Sequence, residues 1–366
     1  MTHFKLSPTH NRSATIATWR LIALAGLAAV VSGCNSPPHA DTDAYATIGN
    51  VSGLSAPIQF RLLGPDGAPL DEPDGATGSL TLADAVRRAV TTDPDLQAAL
   101  ARIQIAMADA KQSRLLPNPV LNVILRFGPG KPQIEASLAQ DFVAALQIPY
   151  RSSAADNRLR QAAAEAVTTA LNVASEVTER YVASQSFAAL TPILQQRSDL
   201  LEKLTGTAKA QLDAGEGTRG DVVTLEAQRS QLLVEIDRTR LSETEERLRL
   251  ARLIGEPSSA ATWTLDKWVS PSIGSQPEIV WVNTALQQRP EIQVVAWRLK
   301  ALGDDDALVR LLPWEGASVG VDAQRDDQLF TGPSISTTIP LFDTGQARRA
   351  RVTAEQLEAR NQLTLA

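Results

Sequence analysis

Cysteine and histidine are scarce in this chain of 366 residues, which contains one cysteine, Cys34, and three histidines. A single cysteine cannot form a disulfide within the chain. Zinc sites of the Cys and His type need a cluster of such ligands, and Ser-His-Asp or Cys-His catalysis needs a histidine beside the nucleophile. We therefore expect no catalytic residue, no metal site and no cofactor.

Aromatic residues and basic clusters are also in short supply. Aromatic residues make up 4% of the composition, whereas hydrophobic residues reach 43%. This balance favours long helices packed by small and aliphatic side chains over a compact aromatic core. The formal net charge is −6, and no run of basic residues interrupts the sequence. These features argue against nucleic acid as a partner.

The N-terminus has the pattern of an export signal. Lys5, Arg12 and Arg20 precede an apolar run at 21–31, which has the length of a signal-peptide core and is too short to span a membrane. Cys34 follows Val-Ser-Gly, which resembles a bacterial lipobox. We therefore expect residues 1–33 to be a lipoprotein signal peptide and Cys34 to carry the lipid (palmitate). An ordinary secretory signal with a chance cysteine is the alternative.

Residues 34–79 are rich in Pro, Gly, Ala and Asp. Such a segment cannot bury much apolar surface, so it is interpreted as a tether between the lipid and the folded part of the chain. The residue after the cysteine is Asn rather than Asp, and by the sorting rule for lipoproteins this favours the outer membrane.

The most informative feature is an internal duplication. Arg114-Leu-Leu-Pro117 recurs 196 positions later as Arg310-Leu-Leu-Pro313, and Asp93-Pro-Asp-Leu96 recurs at the same spacing as Arg289-Pro-Glu-Ile292. The pair Ile-Pro at 148 recurs 191 positions later. Three ordered matches at nearly constant spacing predict two structural repeats. The first would span 80–257, and a linker with a partial second repeat would span 258–366.

Within the first repeat the pattern predicts long helices. Thr81 is expected to cap a short helix, and Pro94 opens another that reaches Leu116. Helical periodicity then continues over 152–254, and a turn at 214–218 divides this stretch into an antiparallel hairpin. Pro192 is expected to kink or split the first arm of this hairpin.

Four segments alternate between apolar and polar residues, at about 119–127, 133–142, 316–324 and 332–341. Strands of this kind are typical of a lipid-facing barrel wall. A spanning barrel needs at least about eight strands, and an unpaired strand edge in lipid is costly, so several copies must share one barrel. The polar residues expected to face the lumen are Asn122, Arg126, Glu135, Asp141, Asp322 and Gln324.

The chain resembles the TolC family of outer-membrane factors. The resemblance rests on Leu80-Thr-Leu-Ala-Asp-Ala-Val86, Leu116-Pro-Asn-Pro119, the tip at 214–218 and the stretch Gly332-Pro-Ser-Ile-Ser-Thr-Thr-Ile-Pro-Leu-Phe-Asp-Thr-Gly345. It implies an α+β membrane protein, with four transmembrane strands per subunit and coiled-coil hairpins that form a periplasmic α-barrel. In this family, three subunits build one barrel of about twelve strands.

The same resemblance implies a function. The homotrimer would be a passive efflux conduit that docks onto a periplasmic adaptor and an inner-membrane pump. Gly215, Glu216, Gly217 and Thr218 match the family's adaptor-contacting tip. The Pro-Asn-Pro and Ala-Gly-Glu stretches resemble the heavy-metal branch of this family.

Residues matching 176–255 are expected to be missing after the end of the chain, and the family's gate normally lies there. The acidic run 304–306 is interpreted as a solvated helix face.

Three alternatives remain open at this point. A lipid-anchored periplasmic adaptor would have one coiled-coil hairpin flanked by small β-domains, and the duplication weighs against it. A lipoprotein enzyme is disfavoured by the scarcity of histidine and cysteine. A truncated, non-functional fragment of the channel would share every pattern described above.

Overall fold

The computed structural model describes residues 78–129, 131–256, 261–269, 274, 276–325 and 328–366. Cys34, the predicted signal peptide and nearly all of the predicted tether lie outside the described residues. In chain order, the elements are β1 (Ser79–Leu80), α1 (Leu82–Thr92), α2 (Pro94–Ser113), β2 (Val120–Arg126), β3 (Gln133–Asp141), α3 (Phe142–Asp213), α4 (Arg219–Leu253), β4 (Thr264–Leu265), α5 (Glu278–Gln288), α6 (Pro290–Leu311), β5 (Ser318–Arg325), β6 (Leu329–Ser336) and α7 (Gln346–Leu365).

The first two helices begin where the sequence predicts. The Thr81 hydroxyl accepts a hydrogen bond from the backbone N–H of Asp84, which caps α1. The Asp93 carboxylate accepts one from the backbone N–H of Leu96, and Pro94 occupies the first position of α2. Helix α2 ends three residues before the predicted Leu116.

Helix α3 is longer than predicted. It runs for 72 residues and begins at Phe142, where the Asp141 carboxylate caps it, instead of at Ser152. Neither Pro149 nor Pro192 interrupts the helix, so the predicted split at Pro192 is wrong. A proline removes only one backbone hydrogen bond, and the adjoining Leu194 remains packed against α4.

Helices α3 and α4 form the predicted antiparallel hairpin. Leu194 of α3 packs with Leu232 and Ile236 of α4, and ion pairs bridge the two helices farther along, including Lys209–Glu226 at 2.7 Å. The helical periodicity of α4 predicts that Leu248 faces inward, but its side chain is exposed. The inward position is taken by Leu250, two residues later, which packs with the aromatic cluster described next.

The base of the hairpin is held by a buried cluster around Tyr181 and Trp263. Side chains of β1, α1, α3 and α4 converge on it, namely Leu80, Ala85, Ala89, Val177, Leu250, Ala251 and Ile254. The Tyr181 hydroxyl donates a hydrogen bond to the Leu80 carbonyl at 2.8 Å and accepts one from the Asp266 N–H at 3.2 Å. Burial raises the pKa of Tyr181, and the Asp266 carboxylate adds to the rise.

The order of elements is repeated within the chain. The series α1, α2, β2, β3, α3 recurs as α5, α6, β5, β6, α7. Helices α5 and α6 begin 196 residues after α1 and α2, as the duplication predicts. The predicted fold class, which combines long helical hairpins with four strands in two repeats, is confirmed.

Four helices lie side by side in the order α2, α3, α6, α7. Helix α3 packs on α2 and on α6, and α6 packs on α7. The core between α2 and α3 is aliphatic and contains Leu96, Leu100, Ile103, Leu159 and Ala166. Among the described residues, no helix combines the length and the apolar character needed to cross a membrane.

Candidate functional site: a two-faced sheet and a helical tip

The sheet contains one hairpin from each repeat. Its strand order is β2-β3-β5-β6, and every neighbouring pair is antiparallel. The central pair β3–β5 joins the two repeats. Strands β2 and β6 lie at the edges, and within the described part of the chain no other strand pairs with them.

The register places the predicted lumen residues on one face. Residues that pair directly across an antiparallel ladder point to the same side of the sheet. Asn122 pairs with Ser137, which pairs with Asp322, and this row continues to Gly332. A second row contains Ile124, Glu135, Gln324 and Phe330. Because side chains alternate along each strand, Arg126 and Asp141 join the same face. The structure therefore brings all six predicted residues together.

Three of these six residues also have partners within the chain. Arg126 forms an exposed ion pair with Glu135 at 3.0 Å, a type that contributes little to stability. A third, Asp141, accepts a hydrogen bond from the Ala144 N–H at 2.9 Å and so caps α3. The alternation along the strands also predicts further polar members of this face, and the register places them there, namely Gln133, Ser137, Ser318, Ser334 and Ser336.

The opposite face of the sheet is apolar and exposed. Its large aliphatic members are between 43% and 78% exposed, and they are Leu121, Val123, Leu125, Ile134, Leu138, Val319, Val321, Leu329 and Ile335. A contiguous apolar surface of this kind marks a site that contacts another protein or a membrane.

The strands of the second repeat are shifted from their predicted positions. Strand β6 spans 329–336 rather than about 332–341, and β5 spans 318–325 rather than about 316–324. Ser318 at the start of β5 pairs with Ser336, so residues after 336 have no partner strand. Pro333 lies inside β6, where an edge strand tolerates a residue that cannot donate.

Gly320 lies where β5 approaches the backbone of β3 closely. A Cβ atom at this position would lie 2.5 Å from the carbonyl oxygen of Leu138 on β3. The close approach of β3 and β5, and therefore the joint between the repeats, requires glycine here.

The hairpin tip is an exposed turn between α3 and α4. Gly215 has a φ of 79°, which glycine adopts without strain. The backbone N–H groups of Glu216 and Gly217 both donate to the Gln211 carbonyl, which closes the end of α3. Thr218 and Asp221 form a reciprocal capping box that starts α4. Within the described residues, the Glu216 side chain has no hydrogen-bond or ion-pair partner.

The acidic run 304–306 is not the solvated helix face that was predicted. Asp304 accepts hydrogen bonds from Ser153 at 2.7 Å and Asn157 at 2.9 Å, both on α3. Asp305 forms an ion pair with Arg158, also on α3. Only Asp306 pairs within its own helix, with Arg310. The run therefore joins the second repeat to the first. No described residues form a cluster of three or more potential metal ligands.

Known structures share this arrangement at low sequence identity. No protein-family model and no curated protein sequence matches the chain. The outer membrane protein VceC from Vibrio cholerae aligns with a TM-score of 0.61 and 18% identity, over 77% of this chain and 74% of VceC. The outer-membrane channel OprN aligns with a TM-score of 0.61 and 19% identity, over 77% of this chain and 69% of OprN. The CmeC outer membrane channel from Campylobacter jejuni aligns with a TM-score of 0.59 and 11% identity, over 85% of this chain and 75% of CmeC.

These similarities define the class of fold. The chain has the fold of outer-membrane channel subunits, in which long helices continue a sheet, and its own four strands do not close into a barrel. The resemblance to the TolC family seen in the sequence is confirmed at the level of the fold.

Proposed function

We propose that the chain is the subunit of an outer-membrane efflux channel in which several copies share one β-barrel. The observation that carries this proposal is the four-stranded sheet, which has one polar face, one exposed apolar face and two free edges. No other surface of the described chain combines these properties.

The free edges require neighbouring copies. In lipid, each unpaired backbone polar group costs several kcal/mol, so β2 and β6 need partner strands. The edge β6 of one copy can pair with β2 of the next. A homotrimer would close a wall of about twelve strands, within the known range of spanning barrels. The apolar face then contacts lipid, and Asn122, Arg126, Glu135, Asp141, Asp322 and Gln324 line the lumen.

The helical hairpin extends this conduit into the periplasm. Helix α4 alone is ~50 Å long at ~1.5 Å per residue. Its tip, Gly215 to Thr218, is the docking point for a periplasmic adaptor that links the channel to an inner-membrane pump. The support for this role is the exposure of the tip and the presence of a side chain there, Glu216, that the hairpin itself does not use. The channel is passive, and the pump supplies the energy.

The lipid anchor is a separate part of the proposal. In this proposal, residues 1–33 are removed and Cys34 is then acylated. The tether, residues 34–79, connects the lipid to the folded part of the chain. Mass spectrometry of the purified chain tests this step directly. We expect a mature N-terminus at Cys34 with added acyl mass, and the Cys34→Ala variant lacks that mass.

Membrane fractionation followed by native mass measurement in detergent tests the channel itself. We expect the full chain in the outer membrane as a trimer, and we expect conductance when the trimer is added to planar lipid bilayers. A water-soluble monomer would overturn the proposal and favour a periplasmic adaptor or an inactive fragment. A trimer without conductance would overturn only the proposed role as a conduit for solutes and would leave the shared barrel in place.

A further inference from the structure

One side of the row of helices α2, α3, α6 and α7 carries ion pairs between neighbouring helices. Arg158 of α3 pairs with Asp305 of α6 at 2.5 Å, and Arg298 of α6 pairs with Glu358 of α7 at 3.5 Å. Arg158, Arg298 and Asp305 also line a cavity of about 410 Å³ between these helices. We call this side of the row the cavity side.

The other side of the row carries cations that have no such partners. We call it the basic face. Its five members are exposed, and they are Lys111 of α2, Arg160 of α3, Lys300 of α6, and Arg349 and Arg360 of α7. Within the described residues, none of the five forms an ion pair.

The spacing along each helix separates the two sides. Arg160 is two residues from Arg158, and Lys300 is two residues from Arg298. At about 100° per residue, two positions are about 200° apart, so the side chains of each pair point in nearly opposite directions. The same offset separates the other three cations from charged residues of the cavity side, namely Asp109, Arg351 and Glu358.

The basic face lies on the same side of the chain as the apolar face of the sheet. The Phe142 N–H donates a hydrogen bond to the Ala317 carbonyl at 3.2 Å, so the ladder of β3 and β5 continues through Phe142, with its side chain on the apolar side. Arg160 follows Phe142 by 18 residues, which is five complete turns of α3. In the proposed channel, the apolar face contacts lipid, so the basic face points away from the lumen.

The basic face is also too far from the sheet to reach the membrane. At ~1.5 Å per residue, Arg160 lies ~27 Å along α3 from Phe142, where the apolar face ends. The head-group layer beside the hydrocarbon core is only ~5–8 Å thick. The basic face therefore meets the periplasm and not the lipid head groups.

We propose that the basic face binds the peptidoglycan cell wall through the carboxylates of its stem peptides. The inference rests on the proposed function, which gives the face its outward and periplasmic position. The chain as a whole is acidic, with a formal net charge of −6, so a group of unpaired cations on one side runs against its composition. A polymer with repeated carboxylates offers several partners at once, and clustered cations attract it.

Trp297 holds two of these cations close together. The Arg160 guanidinium lies 4.7 Å from the centre of the Trp297 ring, and the Lys300 ammonium lies 3.8 Å from it. The negative face of the ring attracts both groups. Because the two like charges repel each other, a carboxylate beside them gains from both. We therefore expect Arg160 and Lys300 to contribute most to binding.

Cosedimentation with purified peptidoglycan sacculi tests the proposal. The full chain is placed in nanodiscs of phosphatidylcholine, a lipid without net charge. We expect the chain to sediment with sacculi at about 0.05 M salt and to stay in solution at about 0.5 M salt, where screening is strong. Sacculi whose carboxylates have been amidated should not bind the chain.

Charge reversal on the two sides of the row provides matched variants. Arg160→Glu combined with Lys300→Glu should lower the bound fraction roughly tenfold or more, since each substitution changes the face by two charges. Lys111→Glu should lower it several-fold and does not touch Trp297, so it reports even if the double variant loses helix content. The control is Arg102→Glu, which makes the same change on the cavity side of α2, about 180° from Lys111. It should bind as the unsubstituted chain does.

The outcomes separate this interaction from the proposed function. A conducting trimer that does not sediment with sacculi would overturn the cell-wall contact and leave the channel intact. Equal losses for Lys111→Glu and Arg102→Glu, or binding to amidated sacculi, would also overturn the contact. Binding to phosphatidylglycerol vesicles in place of sacculi would assign the face to lipid head groups and exclude the cell wall. A soluble monomer that binds sacculi with the expected charge dependence would overturn the channel and retain the basic face as a binding surface.

Discussion

Gly320 is the residue at which an added methyl group should weaken the contact between β3 and β5, the strands that join the two repeats. Because the added Cβ of Gly320→Ala would lie 2.5 Å from the Leu138 carbonyl oxygen, β3 and β5 must move apart. We expect a loss of ~1–3 kcal/mol in the free energy of unfolding, measured by urea denaturation of the purified protein in detergent. Gly332→Ala is the control, since no atom lies within 4 Å of its added Cβ. Equal stability of the two variants would contradict the close approach.

Tyr181 is the residue whose ionisation should limit stability at high pH. Burial raises the pKa of Tyr181 in the folded chain above the ordinary value of 10.0. Its contribution is therefore complete below pH ~10 and is lost as the pH rises through the folded pKa. Tyr181→Phe should lower the free energy of unfolding by ~1–3 kcal/mol at pH 8, because the Leu80 carbonyl and the Asp266 N–H lose a partner.

The loss of stability at high pH is measured separately. Circular dichroism between pH 8 and 11 should show a steeper loss of thermal stability for the unsubstituted chain than for Tyr181→Phe. Tyr150→Phe is the control, since that side chain is exposed and outside the buried cluster. Parallel pH profiles for all three proteins would show that the Tyr181 hydroxyl has no such role.

At the scale of elements, Asp304 should hold α6 against α3. Asp304→Ala removes the acceptor of both Ser153 and Asn157, and the Asn157 side chain is buried. We expect a cost of ~1–3 kcal/mol in the free energy of unfolding. The control is Asp306→Ala, which breaks only an exposed pair within α6 and should cost ~0.5 kcal/mol or less. A smaller loss of stability for Asp304→Ala than for Asp306→Ala would contradict the role of Asp304 in holding α6 against α3.

The hairpin tip allows docking to be separated from folding. Glu216→Lys changes an exposed side chain that the hairpin does not use, so the proposed adaptor role predicts loss of efflux with unchanged helix content. Thr218→Ala instead removes the capping box of α4 and should cost ~1 kcal/mol in stability. Efflux assays and thermal denaturation of both variants measure the two effects. Normal efflux by Glu216→Lys would leave that side chain without a docking role.

The sequence predicts helix starts better than it predicts where a strand becomes a helix. Thr81 and Asp93 are caps that can be read locally, and the structure uses both. The change from β3 to α3 at Phe142 could not be read, because alternation continues through 142 and Pro149 suggests a later start. The cap at Asp141 outweighs both signals. Local patterns do not show which polar residue receives the helix N-terminus.

The candidate site was predictable to the extent that it depends on alternation. The period of two predicts that six polar residues lie on one face of the sheet, and the ladders confirm that they share it. The role of Asp304 could not be predicted, since Ser153 and Asn157 are distant in sequence and belong to another repeat. The shift of β6 depends on where β5 begins, which is also a tertiary property.

At the scale of the whole molecule, the sheet defines both the outside and the inside of the proposed pore. The polar face carries Glu135, Asp141 and Asp322 against one base, Arg126, so three copies that share the proposed pore would present an acidic lumen. Charged groups that line a narrow water-filled path favour ions of the opposite sign. The assembled channel should therefore prefer cations in planar bilayers under a salt gradient.

Adjacent residues of β5 provide the sharpest test of this assignment, since Asp322 and Ala323 point to opposite faces. Asp322→Lys changes the lumen by two charges per copy and touches no lipid, so we expect normal trimers whose reversal potential shifts towards anion preference. Ala323→Lys places a cation on the apolar face, which in a bilayer costs from ~0–1 kcal/mol near the surface to ~2–4 kcal/mol at the middle, and we expect less trimer in the outer membrane than for Asp322→Lys. The reverse result, with Ala323→Lys conducting and Asp322→Lys failing to assemble, would mean that the polar face meets the lipid and that the proposed pore is inside out.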